Sequence, residues 1–231
     1  VASNVTGECI CCSELSKASE DFGLKLILDA SQLLGHKKLS LSETPCDILC
    51  APGHKALFGI QGVGFAVFCD NLARESFIEG GTGNDSLNPN MPLLLPERYE
   101  AGTLPSPSIV SLIAGIDFIE SVGASQVEEK IDILTERCEC VINEIKNVVT
   151  YESGNGIISF NVSDVPAEVV SSNLARDGIC TRCGLHCAPL AHKTIGTLGI
   201  GTVRISLSYL NEMREIDKLY KSLRSFSEMY K

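Results

Sequence analysis

A chain of 231 residues with 44% hydrophobic and 21% charged residues has a globular composition, neither disordered nor membrane-embedded. At this length it can bury roughly 72% of its unfolded surface, in one large domain or two small ones. A formal net charge of −10, no Trp and 6% aromatics disfavour a nucleic-acid surface, which needs positive charge and stacking platforms.

No apolar run approaches the roughly 18 residues of a membrane span, and Val1–Gly7 has neither the basic nor the apolar stretch of a secretory signal. The chain opens without Met and is expected to be an N-terminally truncated piece. Its 11 cysteines are odd in number and irregularly spaced, which speaks against a disulfide scaffold. Most are expected to serve as small hydrophobes in apolar helices and strands, in a reducing cytoplasm. The sequons at Asn4, Asn84 and Asn161 carry no weight without a secretory route.

The pattern predicts a helix over 9–22, ending at Gly23. Three apolar strands follow, at Leu24–Asp29, Cys46–Cys50 and Gly64–Cys69, as in a parallel sheet buried on both faces. Residues 78–105 form a long loop rich in Gly, Asn and Pro, of the kind that carries function or an interface. Helices at 106–122 and 125–146 flank Gly123. A strand over 156–162, a helix over 166–177, strands near 179–182 and 203–207 and a helix over 212–229 then read as a small α+β domain. The expected fold is therefore α/β, with residues 1–124 a mostly parallel large domain and 125–231 the α+β domain.

Three constellations could carry chemistry. Pro52-Gly-His-Lys55 follows a strand and precedes several glycines, a setting where partial desolvation frees a lysine amine for Schiff-base chemistry; a solvated loop lysine is the alternative. Gly53, Gly59, Gly62 and Gly64 could cradle a phosphate, but they fit neither the Walker nor the Rossmann pattern. Asp29 ends a run of Leu and Ile, where its charge needs a partner. A pyridinium nitrogen is one candidate and the cap of the next turn another. Finally, Arg182, His186 and Cys187 share a loop with Arg204 on the next strand, and positive charge beside a thiol favours thiolate. Cys187 is a nucleophile or an inert thiol on this reading. A zinc or iron–sulfur site from Cys180, Cys183, Cys187, His186 and His192 is a further reading, although no second Cys pair brackets a knuckle.

Taken in order, Asp29-Ala-Ser-Gln32, Gly53-His-Lys55, Arg98-Tyr-Glu-Ala-Gly-Thr103, Arg182-Cys-Gly-Leu-His-Cys187 and Arg204-Ile-Ser resemble the motifs of cysteine desulfurases. These are fold-type I pyridoxal-phosphate enzymes of the class V aminotransferase superfamily, and the segment around Cys187 is similar to the selenocysteine-lyase-type branch. The resemblance implies that Lys55 forms the Schiff base with pyridoxal 5′-phosphate and later moves the α-proton. It implies that Asp29 holds the ring nitrogen, Gln32 the phenolic oxygen and His54 the phosphate, with Thr103 reaching a neighbouring subunit's phosphate. Asn4 and Arg204 would bind the carboxylate of L-cysteine, with Arg182 and His186 completing the substrate site. Cys187 would take the sulfur, leaving alanine and a persulfide. A homodimer, a possible sulfur-acceptor protein, and iron–sulfur or thio-cofactor assembly are the implied context. An aminotransferase or lyase acting on another amino acid, or a non-catalytic fragment, are the alternatives.

The sequence departs from the family at Pro52, Ile60 and Cys183, where Ser, Pro and a small residue are common. A ring-stacking His and a Gly-Thr phosphate loop, expected N-terminal to these motifs, do not occur in these 231 residues.

Overall fold

The computed structural model describes residues 1–68, 75–84 and 86–230, so Cys69 of the third expected strand lies outside the described residues. The chain forms two compact units. The smaller comprises Cys12–Asp29 and Ser40–Asp117; the larger comprises Val1–Cys11, Ala30–Leu39 and Phe118–Lys231.

In the smaller unit, helix α1 spans Cys12–Asp21 and the strands are β1 (Ile27–Asp29), β2 (Ile48–Pro52) and β3 (Gly64–Phe68), in the order β1-β2-β3. The expected α1 is shortened at its start, because Ala2 and Cys9 pair as an isolated bridge and Ile10 N–H donates to Val1 O at 2.9 Å. The reading of the third strand as a further strand of a parallel sheet is corrected as well. β1 and β2 are parallel, but β3 runs antiparallel to β2, pairing Ile48 with Phe68 and Pro52 with Gly64. The connection 53–63 is shorter than the dozen or so residues a parallel crossover needs. The sheet is also not buried on both faces: Leu28, Leu49 and Ala51 are buried while Ile27 and Val67 are exposed.

Helix α2 (Ser106–Val122) fixes the loop after β2. A Cβ at Gly115 would stand 2.0 Å from Leu57 O, and one at Gly59 would stand 3.2 Å from Leu112 Cα, so glycine at both places lets helix and loop backbones touch. Ser111 Oγ accepts from Ile60 N–H at 3.0 Å, and Ser108 Oγ donates to Gln61 O at 3.2 Å.

The larger unit holds helices α3 (Ala124–Asn143), α4 (Ala167–Arg176), α5 (Pro189–Thr194) and α6 (Met213–Ser227). Its strands are β4 (Val148–Gly154), β5 (Ile157–Val162), β6 (Arg182–Gly184) and β7 (Thr202–Ser206), forming an antiparallel sheet of order β4-β5-β7-β6. α3 forms because Val127, Ile131, Leu134, Cys138 and Val141 recur at three and four residues, and all are buried. α6 does the same with Ile216, Leu219, Leu223 and Phe226, behind a capping box in which Glu212 and Glu215 satisfy each other's backbone N–H groups. These stripes, with Val170 and Leu174 of α4, cover Ile158, Phe160 and Val162 of β5 and Val203 and Ile205 of β7. The other face of β5 is covered as well: Ser159 Oγ donates to Val5 O at 2.6 Å, and Asn161 Nδ2 donates to Gly201 O at 3.1 Å.

The sequence pattern missed β4 and α5, and β6 lies a few residues beyond its expected place. The hydrophobic-cysteine expectation is largely overturned, since among the described cysteines only Cys46 and Cys138 are buried. Among the described residues, no single helix is long and apolar enough to cross a membrane.

Candidate active site

The smaller unit carries Asp29, His54, Lys55 and Thr103. Asp29 is the last residue of β1 and stands opposite Cys50 of the parallel strand β2. β2 then runs into Gly53, His54 and Lys55, so a carboxylate and an amine leave the carboxyl ends of two adjacent parallel strands. Ligands of α/β sheets collect at such ends. The loop after β2 is tightly closed. Gly53 N–H donates to Val63 O at 2.9 Å, Gly59 N–H to Gly53 O at 2.9 Å, and Phe58 N–H to Lys55 O at 3.1 Å. Phe58 takes φ 60°, a left-handed conformation that a bulky side chain adopts only under surrounding constraint.

Two expectations about this unit are corrected. Asp29 and Lys55 are both exposed, so Asp29 does not carry the burial cost inferred from its apolar run, and Lys55 is not partly desolvated. Asp29 still acts on its surroundings: burial first, then its charge, push the Cys50 thiol above the ordinary range. Thr103 is exposed in the loop that leads into α2.

The larger unit carries Asn4, Gln32, Arg182, His186, Cys187 and Arg204. On the β6–β7 pair, Arg182 stands directly opposite Arg204. β6 leads into His186 and Cys187, which are consecutive left-handed residues with φ 50° and 60°. The Cys187 side chain is exposed. Arg182 Nη2 lies 3.8 Å from Cys187 Sγ. Arg204 Nη1 donates to Asn4 O at 2.8 Å, and Asn4 Nδ2 donates to His186 O at 2.6 Å. Arg204, Asn4, His186, Cys187 and Arg182 therefore form a closed ring of contacts.

The electrostatics of the ring are set by the arginines. Burial and the neighbouring Arg182 lower the Arg204 pKa, while Cys187 opposes that shift. Arg204 Nε is buried with no hydrogen-bond partner among the described residues. His186 does not supply the positive charge expected of it. It is 3% exposed, its Nε2 is 3.1 Å from Thr202 Oγ1 and 3.2 Å from Thr202 O, and burial with Arg204 and His192 nearby lowers its pKa to about 4. A neutral His186 anchors the turn through its Nε2 contact with Thr202. Asn4 likewise spends its amide on the His186 carbonyl.

Burial makes Cys50 and Cys138 poorer nucleophiles. Burial, reinforced by Glu139, pushes the Cys138 thiol up to about 12. Cys183 faces the core cluster. His192 is buried with Nδ1 on Thr197 Oγ1 at 2.7 Å, and among the described residues no group of three or more His, Cys, Asp or Glu is placed to hold a metal.

Gln32 sits in a turn at 30–39, and Asn155 Nδ2 donates to its backbone O. Sequence reasoning missed both Asn155 and Thr202. The Asn155-Gly156 dipeptide between Val148–Tyr151 and Ile157–Ile158 was the available hairpin signal for the first; Thr202 left none. Five cavities of about 340 to 620 Å³ are lined by residues other than these candidates.

A family model described as aminotransferase class-V matches residues 1–219. A probable cysteine desulfurase of Methanothermobacter thermautotrophicus is 30% identical over 237 residues, covering 98% of this chain and 59% of the relative. One from Pyrococcus abyssi is 32% identical over 229 residues, covering 92% and 56%. The apo structure of the cysteine desulfurase from Thermococcus onnurineus superposes with a TM-score of 0.89 at 28% identity, covering 99% of this chain and 58% of that one. Escherichia coli CsdA, a cysteine desulfurase at 22% identity and a TM-score of 0.90, shares the fold. The chain spans somewhat more than half the length of these relatives.

Proposed function

We propose, from the premise that this chain belongs to the class-V aminotransferase family, that it serves a pyridoxal-phosphate-dependent cysteine desulfurase. The observation that carries the reading is the exposed Cys187, the second residue of a left-handed pair, with Arg182 Nη2 3.8 Å from its sulfur and Arg204 opposite Arg182 on the next strand. The two guanidiniums attract an anionic amino acid toward this thiol.

The residues fit the cofactor by their chemistry. A carboxylate and a primary amine leave adjacent parallel strand ends, suiting a protonated ring nitrogen and an aldehyde carbon. When bound, pyridoxal phosphate supplies an electron sink that acidifies the Cα–H of an amino acid. In this reading Lys55 holds the cofactor covalently and moves the proton at the substrate Cα. Asp29 accepts the ring N–H, the Gln32 amide donates to the ring oxygen, and His54 donates to the phosphate. Thr103 serves the phosphate of a neighbouring subunit, as a homodimer requires. Arg204 takes the substrate carboxylate by a two-pronged charge-assisted pair. Cys187 Sγ then attacks the substrate sulfur: an S–S bond forms, the C–S bond breaks, and Cβ keeps that electron pair and gains a proton. The products are alanine and a Cys187 persulfide, which a sulfur-acceptor protein would take toward iron–sulfur or thio-cofactor assembly in the cytoplasm. Residues 1–124 would supply part of the cofactor domain and 125–231 the domain bearing the thiol.

The test is Cys187→Ala in the full-length protein with L-cysteine. The variant should keep the cofactor's visible absorbance and still change it on adding cysteine, yet lose nearly all alanine release and persulfide. Undiminished alanine release overturns the desulfurase reading in favour of an aminotransferase or lyase.

A further inference from the structure

We infer that Asn155 is a positioning residue for Gln32, holding the backbone from which the Gln32 amide is presented; this rests on the reading of Gln32 as a partner of the cofactor's ring oxygen. Asn155 and Gly156 form the two-residue link between β4 and β5, with φ 50° and 79°. Asn-Gly is the ordinary solution for such a turn, and hairpin tips ordinarily point into solvent. This one does not: Asn155 is 2% exposed.

The tip is instead fastened on several sides. Asn155 Nδ2 donates to Gln32 O, and His36 Nδ1 donates to Asn155 O at 2.9 Å. Gly156 N–H donates to Thr135 Oγ1 at 3.1 Å, and Leu207 N–H donates to Gly156 O at 2.7 Å. A Cβ at Gly156 would meet Leu207 O at 2.8 Å and His36 Cε1 at 3.2 Å, so the glycine is needed for this docking as well as for the turn. Asn155 Oδ1 is buried with no hydrogen-bond partner among the described residues. Glycine would serve the turn equally well without leaving a buried acceptor unpaired. What Asn155 adds is its Nδ2 donor, and that donor is on Gln32.

The turn that bears Gln32 is otherwise held from its far end. Lys37 Nζ lies 3.3 Å from Asp132 and 3.5 Å from Glu128 of α3, and Glu128 Oε2 accepts from Lys38 N–H at 3.1 Å. Asn155 fixes its near end, and so the orientation of the residue proposed to meet the cofactor. Asn155→Gly and Asn155→Asp both tolerate the left-handed turn, and both remove the donor.

The experiment compares full-length wild type, Asn155→Gly, Asn155→Asp, Gln32→Ala and the double variant Gln32→Ala/Asn155→Gly. Pyridoxal phosphate affinity and the pH titration of its visible band are measured in each. Loss of one positioning hydrogen bond should weaken affinity about 3- to 10-fold. Both Asn155 variants should move the band's titration in the direction of Gln32→Ala, and the double variant should be no worse than Gln32→Ala alone. In cofactor-free protein, the same variants should speed hydrogen exchange at the amides of Leu33, Leu34, His36 and Lys37, which close this turn. Wild-type affinity and exchange in Asn155→Gly, or additive losses in the double variant, overturn the role of Asn155. If Gln32→Ala alone leaves affinity and band unchanged, the reading of Gln32 fails first, and that of Asn155 with it.

Discussion

His186 should make the protein lose stability as pH falls from neutral toward 4, well before most carboxylates are protonated. Folded, its pKa is about 4, from an ordinary value of 6.5. A group that binds its proton more weakly when folded stabilises the native state fully above the unfolded pKa. That contribution is lost progressively as pH falls through the window between the two values. The window here runs from about 6.5 to about 4, and the gap corresponds to about 3 kcal/mol at 1.36 kcal/mol per unit. The cause is structural: desolvation, with Arg204, His192 and Arg182 all opposing a charge and only the Thr202 carbonyl favouring it. His192 and His36 shift the same way through burial, so the wild-type decline includes their share. The assay is urea unfolding at steps from pH 7.5 to 4.5, in wild type and His186→Gln, with ΔG extrapolated to water. His186→Gln should start less stable at pH 7.5, having lost the Thr202 contact, but decline less by about 2 to 3 kcal/mol over the window. If both proteins decline in parallel, His186 is not the buried neutral anchor of the Cys187 turn.

Two further outcomes test other parts of the structure. Borohydride reduction of the cofactor-loaded full-length protein should fix pyridoxyl mass on the peptide containing Lys55, and mass on any other lysine sinks that assignment. Gly7→Ala should destabilise the larger unit by clearly more than about 1 kcal/mol, because Gly7 has φ 70° and a Cβ there would lie 1.8 Å from Gly154 O; an unchanged urea midpoint would show that the Gly7–Gly154 approach is not needed.

Much of the fold was legible along the chain. α2, α3, α4 and α6 were readable because each buries one stripe, and a stripe at 3.6-residue spacing is written locally. The cysteine, lysine, aspartate and arginine candidates were readable because family motifs are short and ordered. β4 was missed because its half-exposed residues lack a clean alternation. The direction of β3 was misread because an apolar run looks the same in either orientation.

The sequence by itself determined which side chains are available for chemistry, and in what order. Only the tertiary structure decided their states, because burial, charge and partner geometry depend on residues distant in the chain. Asn4 reaches His186 across 182 positions, and Arg204 reaches Asn4 across 200. Burial, with Arg204 and His192 beside it, turns His186 from an expected cation into a neutral anchor and leaves Arg182 and Arg204 as the charges around Cys187. Asn155 reaches Gln32 across 123 positions, through a hairpin tip that local patterning alone would have left in solvent. Hydrophobic period and turn propensity are local quantities, whereas desolvation and hydrogen-bond pairing are set by what the fold brings alongside.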